Sequence, residues 1–297
     1  MEQLFSLEYL VSILLSGISL GGQLALIAIG YTMVYGILRL INFAHGDVFM
    51  VAGLLGIYIS AVMPIYAAIP VVIILTVALG FFIERAAYKP LRNAPRMSVM
   101  ISAIGVSYLL QNLVCYITGG LAKQFPEIPL ISQSVRVFGV KDKLAVFISP
   151  LVAVILMVVL VLIINHTKFG MSMRAVSKDF ETAQLMGVKI NRVISMTFII
   201  GSFLAAVGAL LYFAKNTGIN HMAGSTPGIK AFIAAVVGGI GSVPGAVVGA
   251  LLIGVVESLA KAFGLADFSD VISFALLIII LVIKPTGLFG EKTTEKV

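Results

Sequence analysis

Hydrophobic positions in this chain fall in long unbroken runs, not in a helical stripe or a strand alternation. They cover residues 9–38, 47–63, 67–82, 99–117, 144–164, 193–213, 229–240, 246–260 and 271–283. A run of about 20 apolar residues spans the roughly 30 Å hydrocarbon layer as a helix. No period-two alternation supports a β-barrel. The pattern predicts an all-α, polytopic transmembrane helical bundle of about eight or nine membrane segments. Some of these are broken or short, and residues 1–297 read as a single domain. The first run is too long for a signal-peptide core, and Glu2 and Glu8 replace a basic n-region, so it reads as a retained span.

Two interruptions stand out. Ile41-Asn42-Phe43-Ala44-His45-Gly46-Asp47 places an amide, an imidazole and a carboxylate between apolar runs. Such groups at membrane depth are costly unless they face protein or water. The stretch reads as a helix that breaks and restarts, capped by Asp47 or by Asn42. Irregular backbone at that depth is tolerated where it lines a cavity or is buried in protein. The second interruption is Gly241-Ser242-Val243-Pro244-Gly245, with Gly241, Pro244 and Gly245 as its breakers. Paired interruptions in two halves of a chain point to an inverted repeat and a transport pathway, although these two do not align by residue identity. Asn42, His45, Gly46, Asp47, Gly241, Pro244 and Gly245 are therefore the candidate pathway residues. Closer packing is expected at Gly17 and Gly21, and along the small residues Gly201, Ala205 and Ala209.

Charge orients the bundle. Charged residues make up 11% of the chain, hydrophobic ones 60%, and mean hydropathy is +1.11. An ordinary soluble domain, with about 25% charged residues, is excluded. The net charge of +7 sits in short loops rather than on a nucleic-acid face. Arg85, Lys89, Arg92 and Arg96 in one loop, and Lys168, Arg174, Lys178, Lys189 and Arg192 in another, mark the cytoplasmic side. Counting crossings from them puts the N-terminus outside. The C-terminus, with Lys292 and Lys296, falls inside. The segment 119–143 and the acids Asp267 and Asp270 fall on the outer side. Cys115 is the single cysteine, so no intrachain disulfide can form. The three histidines, His45, His166 and His221, are dispersed and form no metal-ligand set. For His45, a hydrogen-bonded structural node and a direct substrate contact both remain open. Glu257 and Lys261 read as an i,i+4 pair near the outer interface. No nucleophile–base pair suggests an intramembrane hydrolase.

Residues 177–187 form a separately capped helix in the second basic loop. Ser177 can cap it, Asp179 and Glu181 sit at its positive end, and Gly187 can close it. Phe180, Ala183 and Met186 offer one small apolar edge, so the knob is a solvated connector or a partner-docking helix. Glu181-x-Ala183-x-x-x-Gly187 resembles the coupling-helix motif of ABC importer permeases. More specifically, five stretches in order resemble the LivH-type permease of branched-chain amino acid ABC importers. They are Gly30-Tyr31-Thr32-Met33-Val34-Tyr35-Gly36 with Ile41–Asp47, Ile101-Ser102-Ala103-Ile104-Gly105, Leu185-Met186-Gly187, Lys230-Ala231-Phe232 with Gly238–Ala246, and Pro285-Thr286-Gly287-Leu288-Phe289-Gly290. The outer segment 119–143 is the main departure.

The resemblance implies a multi-pass protein of the bacterial cytoplasmic membrane with no enzyme activity of its own. It pairs with a second permease subunit, with two cytoplasmic ATP-binding subunits on the coupling helices, and with an extracytoplasmic amino-acid-binding protein. Ser177, Asp179, Phe180, Glu181, Ala183, Met186 and Gly187 would then be the ATPase-coupling residues, with ATP bound by the partners and no cofactor by this chain. Consistently, no G-x-x-x-x-G-K-[ST] phosphate loop occurs. A pathway for leucine, isoleucine or valine should be mildly apolar and bind its cargo weakly. The rival reading is a proton-coupled secondary transporter with His45, Asp47 and Glu257 as relay, against which the scarcity of intramembrane acids weighs.

Overall fold

The computed structural model describes residues 7–92, 94–137 and 140–290. Glu2, Lys292 and Lys296 lie outside the described residues. The chain runs through α1 (Leu7–Leu38), α2 (His45–Ser60), α3 (Ile65–Ile83, continued by a π-turn at Glu84–Tyr88) and α4 (Arg96–Thr118). Short elements follow: β1 (Lys123–Gln124), α5 (Pro129–Ser132), β2 (Ser134–Val137) and β3 (Val140–Lys143). Then come α6 (Leu144–His166), α7 (Lys168–Lys178), α8 (Phe180–Leu185) and α9 (Ile190–Lys215). The last elements are β4 (Gly218–Ile219), α10 (Ser225–Gly238), α11 (Val243–Ala262) and α12 (Ser269–Ile283). Seven helices among the described residues are long and apolar enough to cross a membrane, and α2 and α10 are shorter apolar helices. The chain is a helical, polytopic membrane protein.

Helix α1 is the axis. It packs against α11, α9, α6 and α10. With no aqueous hydrophobic drive between helices in lipid, contact comes from small residues that let backbones approach. Gly17 and Gly21 meet the backbone of Gly254, Val255 and Leu251 on α11. A Cβ on Gly254 would fall on the backbone of Gly17 and Gly21. Gly22 lies against Pro150 of α6, and Gln23 Nε2 donates to Ser149 Oγ at 3.1 Å beside it. Gly208 of α9 sits on Leu26, and Gly201 faces Gly30 and His45. Gly201, Ala205 and Ala209 are all buried. By contrast α12, α4 and α6 turn large apolar side chains outward, among them Ile279, Val282, Leu109 and Leu162.

The two ends of the bundle differ. At one end the basic loops gather. Glu84, fully buried, accepts from Ser195 Oγ at 2.8 Å and from Arg92, which also reaches Asn191. The opposite end carries the segment 119–143, which reads from sequence as a polar outer segment. It contains the β2–β3 hairpin and the strand β1, which pairs antiparallel with β4. Phe125 N donates to Thr217 O at 2.7 Å, and the Phe125 ring fills the notch at Gly56.

Replacing Gly254 by Val should weaken the α1–α11 seam by about 1–3 kcal/mol, the usual range for overpacking. Thermal unfolding of the purified protein in detergent checks this. Gly105→Ala, inside α4 with nothing within 4 Å of the new methyl, should not lower the midpoint and should raise it slightly.

Candidate functional site

Leu38 ends α1 at the basic end, and the chain does not cross back as one regular helix. Arg39 takes a left-handed backbone (φ 51°), an uncommon and mildly strained conformation for a side-chain-bearing residue. Residues 40–44 then climb back into the bundle, and α2 begins at His45. The depth follows from neighbours. The His45 ring occupies the notch at Gly30, eight residues from the end of α1, and faces Gly201, eleven residues into α9. At 1.5 Å per residue these lie about 12–16 Å from the basic end, near the middle of a 30 Å layer.

The start of α2 is not capped by a side chain. Ala44 occupies the cap position and makes no side-chain cap bond, so the expectation that Asp47 or Asn42 would cap is not met. Both side chains are drawn into longer-range bonds. Asn42 Oδ1 accepts from Tyr88 OH at 2.7 Å, tying the re-entrant segment to the π-turn after α3. Asp47 accepts from Ser107 Oγ at 2.5 Å and from Gln111 Nε2 at 3.0 Å, both on α4. Among the described residues no cation pairs with Asp47. His45 is 2% exposed, meets Tyr31 edge-on at 4.9 Å between ring centroids, and leaves Nε2 without a hydrogen-bond partner. It is a wedge between α1 and α9, and it does not line the cavity described next.

Gly46 meets the segment that enters from the other end. Its missing Cβ makes room for Gly224 O and Gly228 Cα, at the start of α10. After α9 the chain runs through Asn216, β4 and Asn220, and α10 restarts at Ser225. Two helices therefore begin inside the bundle, one reached from each end, and their N-terminal turns touch. The sequence places the counterpart of 42–47 at Gly241–Gly245 instead. That stretch is a tight turn at the basic end, where Gly239 and Gly241 take φ of 107° and 97° and Gly241 lies beside Gly36. Ser242 Oγ caps α11 by accepting from Gly245 N, Pro244 occupies the first turn, and Gly245 stacks on Gly238 and Phe289. The C-terminal stretch seals this turn through Leu288 N to Val237 O and Phe289 N to Gly238 O, both 2.9 Å. The interruption that does face α2 carries its own signal, Gly224-Ser225-Thr226-Pro227-Gly228, with Pro227 in the first turn where the missing N–H costs nothing.

A cavity of about 360 Å³ opens where α2 and α10 begin, within the range of small-molecule sites. Gly46, Asp47, Ser107, Gln111, Gly224 and Ser225 supply its polar wall. Ile104, Tyr108, Ile229, Phe232 and Phe43 supply the apolar one. Tyr108 is 62% exposed and Ile229 48%, so this chain does not enclose the space alone. Tyr31, Ile41 and Phe232 separate it from a void of only about 10 Å³ that reaches Tyr35 and Ile240 near the basic end.

The predicted knob is two helices. Ser177 belongs to the last turn of α7 and donates to Arg174 O at 2.9 Å, so it caps nothing. Asp179 is the cap of α8, accepting from Glu181 N at 2.9 Å, Thr182 N at 3.1 Å and Thr182 Oγ1 at 2.6 Å. The Thr182 hydroxyl, then its N–H, holds the Asp179 carboxyl below the usual carboxylate range. This cap is in place above the ordinary carboxylate pKa and is lost as pH falls through the lowered value. Gly187 closes α8 at φ 83°. The expected edge divides: Ala183 is buried, Phe180 is 38% exposed, and Met186 is 80% exposed beside Leu185 at 87%. Glu181 is exposed. Arg39 Nη2 reaches Ser177 O at 3.5 Å, so the re-entrant turn touches the helix that leads to α8.

Glu257 is not a simple helix pair with Lys261. Its carboxylate binds Lys261 Nζ at 2.6 Å and Lys230 Nζ at 2.9 Å, and Lys230 also binds Asp270 at 2.7 Å. This ties α10 to α11 and α12 and leaves Glu257 no freedom to act in a relay with Asp47. Lys230 lies in the Lys230-Ala231-Phe232 stretch, but its partners are 27 and 40 residues away and no local pattern marks them.

A family model described as the permease component of branched-chain amino acid transport systems matches residues 13–281. The chain is 39% identical to the high-affinity branched-chain amino acid transport system permease protein LivH of Salmonella typhimurium, over 97% of this chain and 98% of that one. It is 42% identical to the corresponding permease BraD of Pseudomonas aeruginosa, over 96% and 97%. A solved metal-chelate type ABC transporter in an inward-facing conformation shares the fold, with a TM-score of 0.53 and 16% identity over 92% of this chain and 85% of that one. The chain belongs to the permease family of branched-chain amino acid transport systems.

Proposed function

We propose that this chain is the transmembrane permease subunit of an ATP-driven importer that carries leucine, isoleucine and valine across the bacterial cytoplasmic membrane. The observation that carries the reading is the near full-length match to LivH and BraD, each described as a permease protein of a high-affinity branched-chain amino acid transport system. In this reading the whole chain is one permease domain, the basic end is cytoplasmic, the N-terminus lies outside and the C-terminus inside. The positive-inside bias of the 85–96 and 168–192 loops supports that orientation.

The division of labour follows from what the chain has. It carries no phosphate loop, so two ATP-binding partners supply hydrolysis. The α8 knob, with Leu185 and Met186 projecting beyond the bundle, is the surface they grip. The open side of the central cavity faces a second permease subunit, and the β2–β3 end meets the extracytoplasmic amino-acid-binding protein. Two helices that start inside the bundle give a path with few backbone bonds to break. Movement of α8 reaches that path through α7 and the Arg39 turn. Asn42, His45, Gly46 and Asp47 shape the path, while Gly241, Pro244 and Gly245 shape its cytoplasmic mouth.

Co-expression with its partner subunits should yield a complex that contains this chain, a second permease and two ATPases. In proteoliposomes, with binding protein supplied, leucine uptake should require ATP. Uptake by this chain alone under a proton gradient would overturn the assignment. Gly187→Val, which forces a β-branched residue into a left-handed backbone, should leave basal ATPase activity within about twofold of wild type and cut leucine uptake about tenfold or more. Glu181→Ala should act in the same direction, more weakly. Uptake at the wild-type rate in both variants would remove α8 from the coupling role.

A further inference from the structure

The β2–β3 hairpin carries a charge pattern that its own chain does not answer. In the antiparallel register Arg136 lies directly opposite Lys141, and Ser134 opposite Lys143. Side chains alternate between the two faces of a strand, so these four share one face and Val135 and Asp142 take the other. Arg136 and Lys141 are exposed, and among the described residues no carboxylate pairs with either. Asp142, the nearest acid in sequence, accepts from Lys143 N at 2.7 Å, and Lys143 Nζ donates to Ala214 O at 3.4 Å, near the end of α9. Like charges directly opposite each other weaken strand pairing. An anionic surface laid on this face would remove that repulsion.

Both strands of this two-stranded sheet are edges, and a lysine on an edge guards against aggregation. That protection gains nothing from setting two cations face to face. A guanidinium with an ammonium at a spacing fixed by the strands suits carboxylates, with Arg136 able to grip one through two parallel hydrogen bonds. Lipid phosphate offers similar oxygens, but the location favours a protein. The pair lies within 119–143, the main departure from the LivH-type pattern, whereas the 41–47 stretch and the Leu185-Met186-Gly187 end of the α8 unit follow it. A bilayer is common to every permease of this kind. A binding protein is particular to each.

We propose that the Arg136–Lys141 pair determines which extracytoplasmic binding protein this permease accepts, by receiving an acidic patch on that protein and repelling one that is basic there. This rests on the transport reading above, in which the β2–β3 end meets the binding protein, and adds to it the residues and the sign of the contact. Exposed charges at the rim of an interface act mainly on the rate of association and on its salt dependence. The pair therefore speeds and selects docking, and takes no part in the passage of the amino acid through the bundle.

The test measures association of the importer's own purified binding protein with the whole complex in nanodiscs, at low and at physiological salt. The double variant Arg136→Gln with Lys141→Gln removes the repulsion, so the hairpin should fold at least as well as in wild type. Its association rate should fall about tenfold at low salt, and its salt dependence should flatten. Arg136→Lys, which keeps the sign, should associate within about twofold of wild type. Leucine uptake at saturating binding protein should stay within about twofold of wild type in both. A double variant that associates at the wild-type rate with the wild-type salt dependence would overturn the proposal. So would a defect seen only in nanodiscs containing phosphatidylglycerol and absent in phosphatidylcholine alone, which would assign the pair to lipid. If the double variant does not assemble, Lys141→Gln alone decides, with a drop of about threefold expected and an unchanged rate counting against the pair. Wild-type complex that fails to import leucine with ATP and binding protein sinks the transport reading, whereas normal import with unchanged association in the variants sinks only this assignment.

Discussion

Backbone amides in a bilayer have no water to turn to, and everything central in this molecule follows from how that constraint is met at two places. Helices α2 and α10 start inside the bundle, where an exposed N-terminal turn in lipid would be prohibitive. Each start is placed against the other, Gly46 on Gly224 and Gly228, so that protein surrounds both. Any side chain at Gly46 would part the two turns. The cavity exists because two helix starts, with their irregular lead-in segments, cannot pack as densely as two continuous helices. Around it, the small-residue seams of α1 with α11 and α9 hold a frame in which few other polar groups are needed.

The frame also explains where charge is tolerated. Glu84 is buried but answered by Arg92 and Ser195, and Glu257 is answered by two lysines. Breaking such a pair leaves an uncompensated charge, which costs several kcal/mol, so these are structural fixtures. Asp47 differs in having only neutral donors. Those donors tie α2 to α4, and Asp47 sits in the first turn of α2, where the helix start favours an acid.

Much of this was legible in the sequence, for physical reasons. Apolar runs of bilayer length leave little choice but helices, and clustered Lys and Arg mark one face of the membrane. The stretch 41–47 stood out because polar residues there are too costly to be accidental. A short helix within 177–187 was legible because its αL closure at Gly187 is local chemistry. Its cap was misassigned to Ser177 because Asp179, two residues later, competes for the same free N–H groups. What escaped were partners distant in sequence: Ser107 and Gln111 for Asp47, Tyr88 for Asn42, Lys230 and Asp270 for Glu257. The true counterpart of the first helix break was missed as well. The turn residues 216–224 resemble any surface loop in sequence, and only their packing against Gly46 places them in the interior. Gly241–Gly245 drew attention through glycine content, which there serves a tight turn.

The central claim is that the space between the starts of α2 and α10 lies on the transport path. Because Cys115 is the single native cysteine, Cys115→Ser gives a clean background for one introduced thiol at Ser225, in the cavity wall. The measurement is labelling of that thiol by a small, membrane-impermeant methanethiosulfonate in the working importer. The account predicts labelling that accelerates during ATP-driven cycling, slows in the presence of leucine and, once complete, blocks uptake. A thiol at position 225 that stays inert through cycling, or that is labelled fully while uptake continues unchanged, would contradict it.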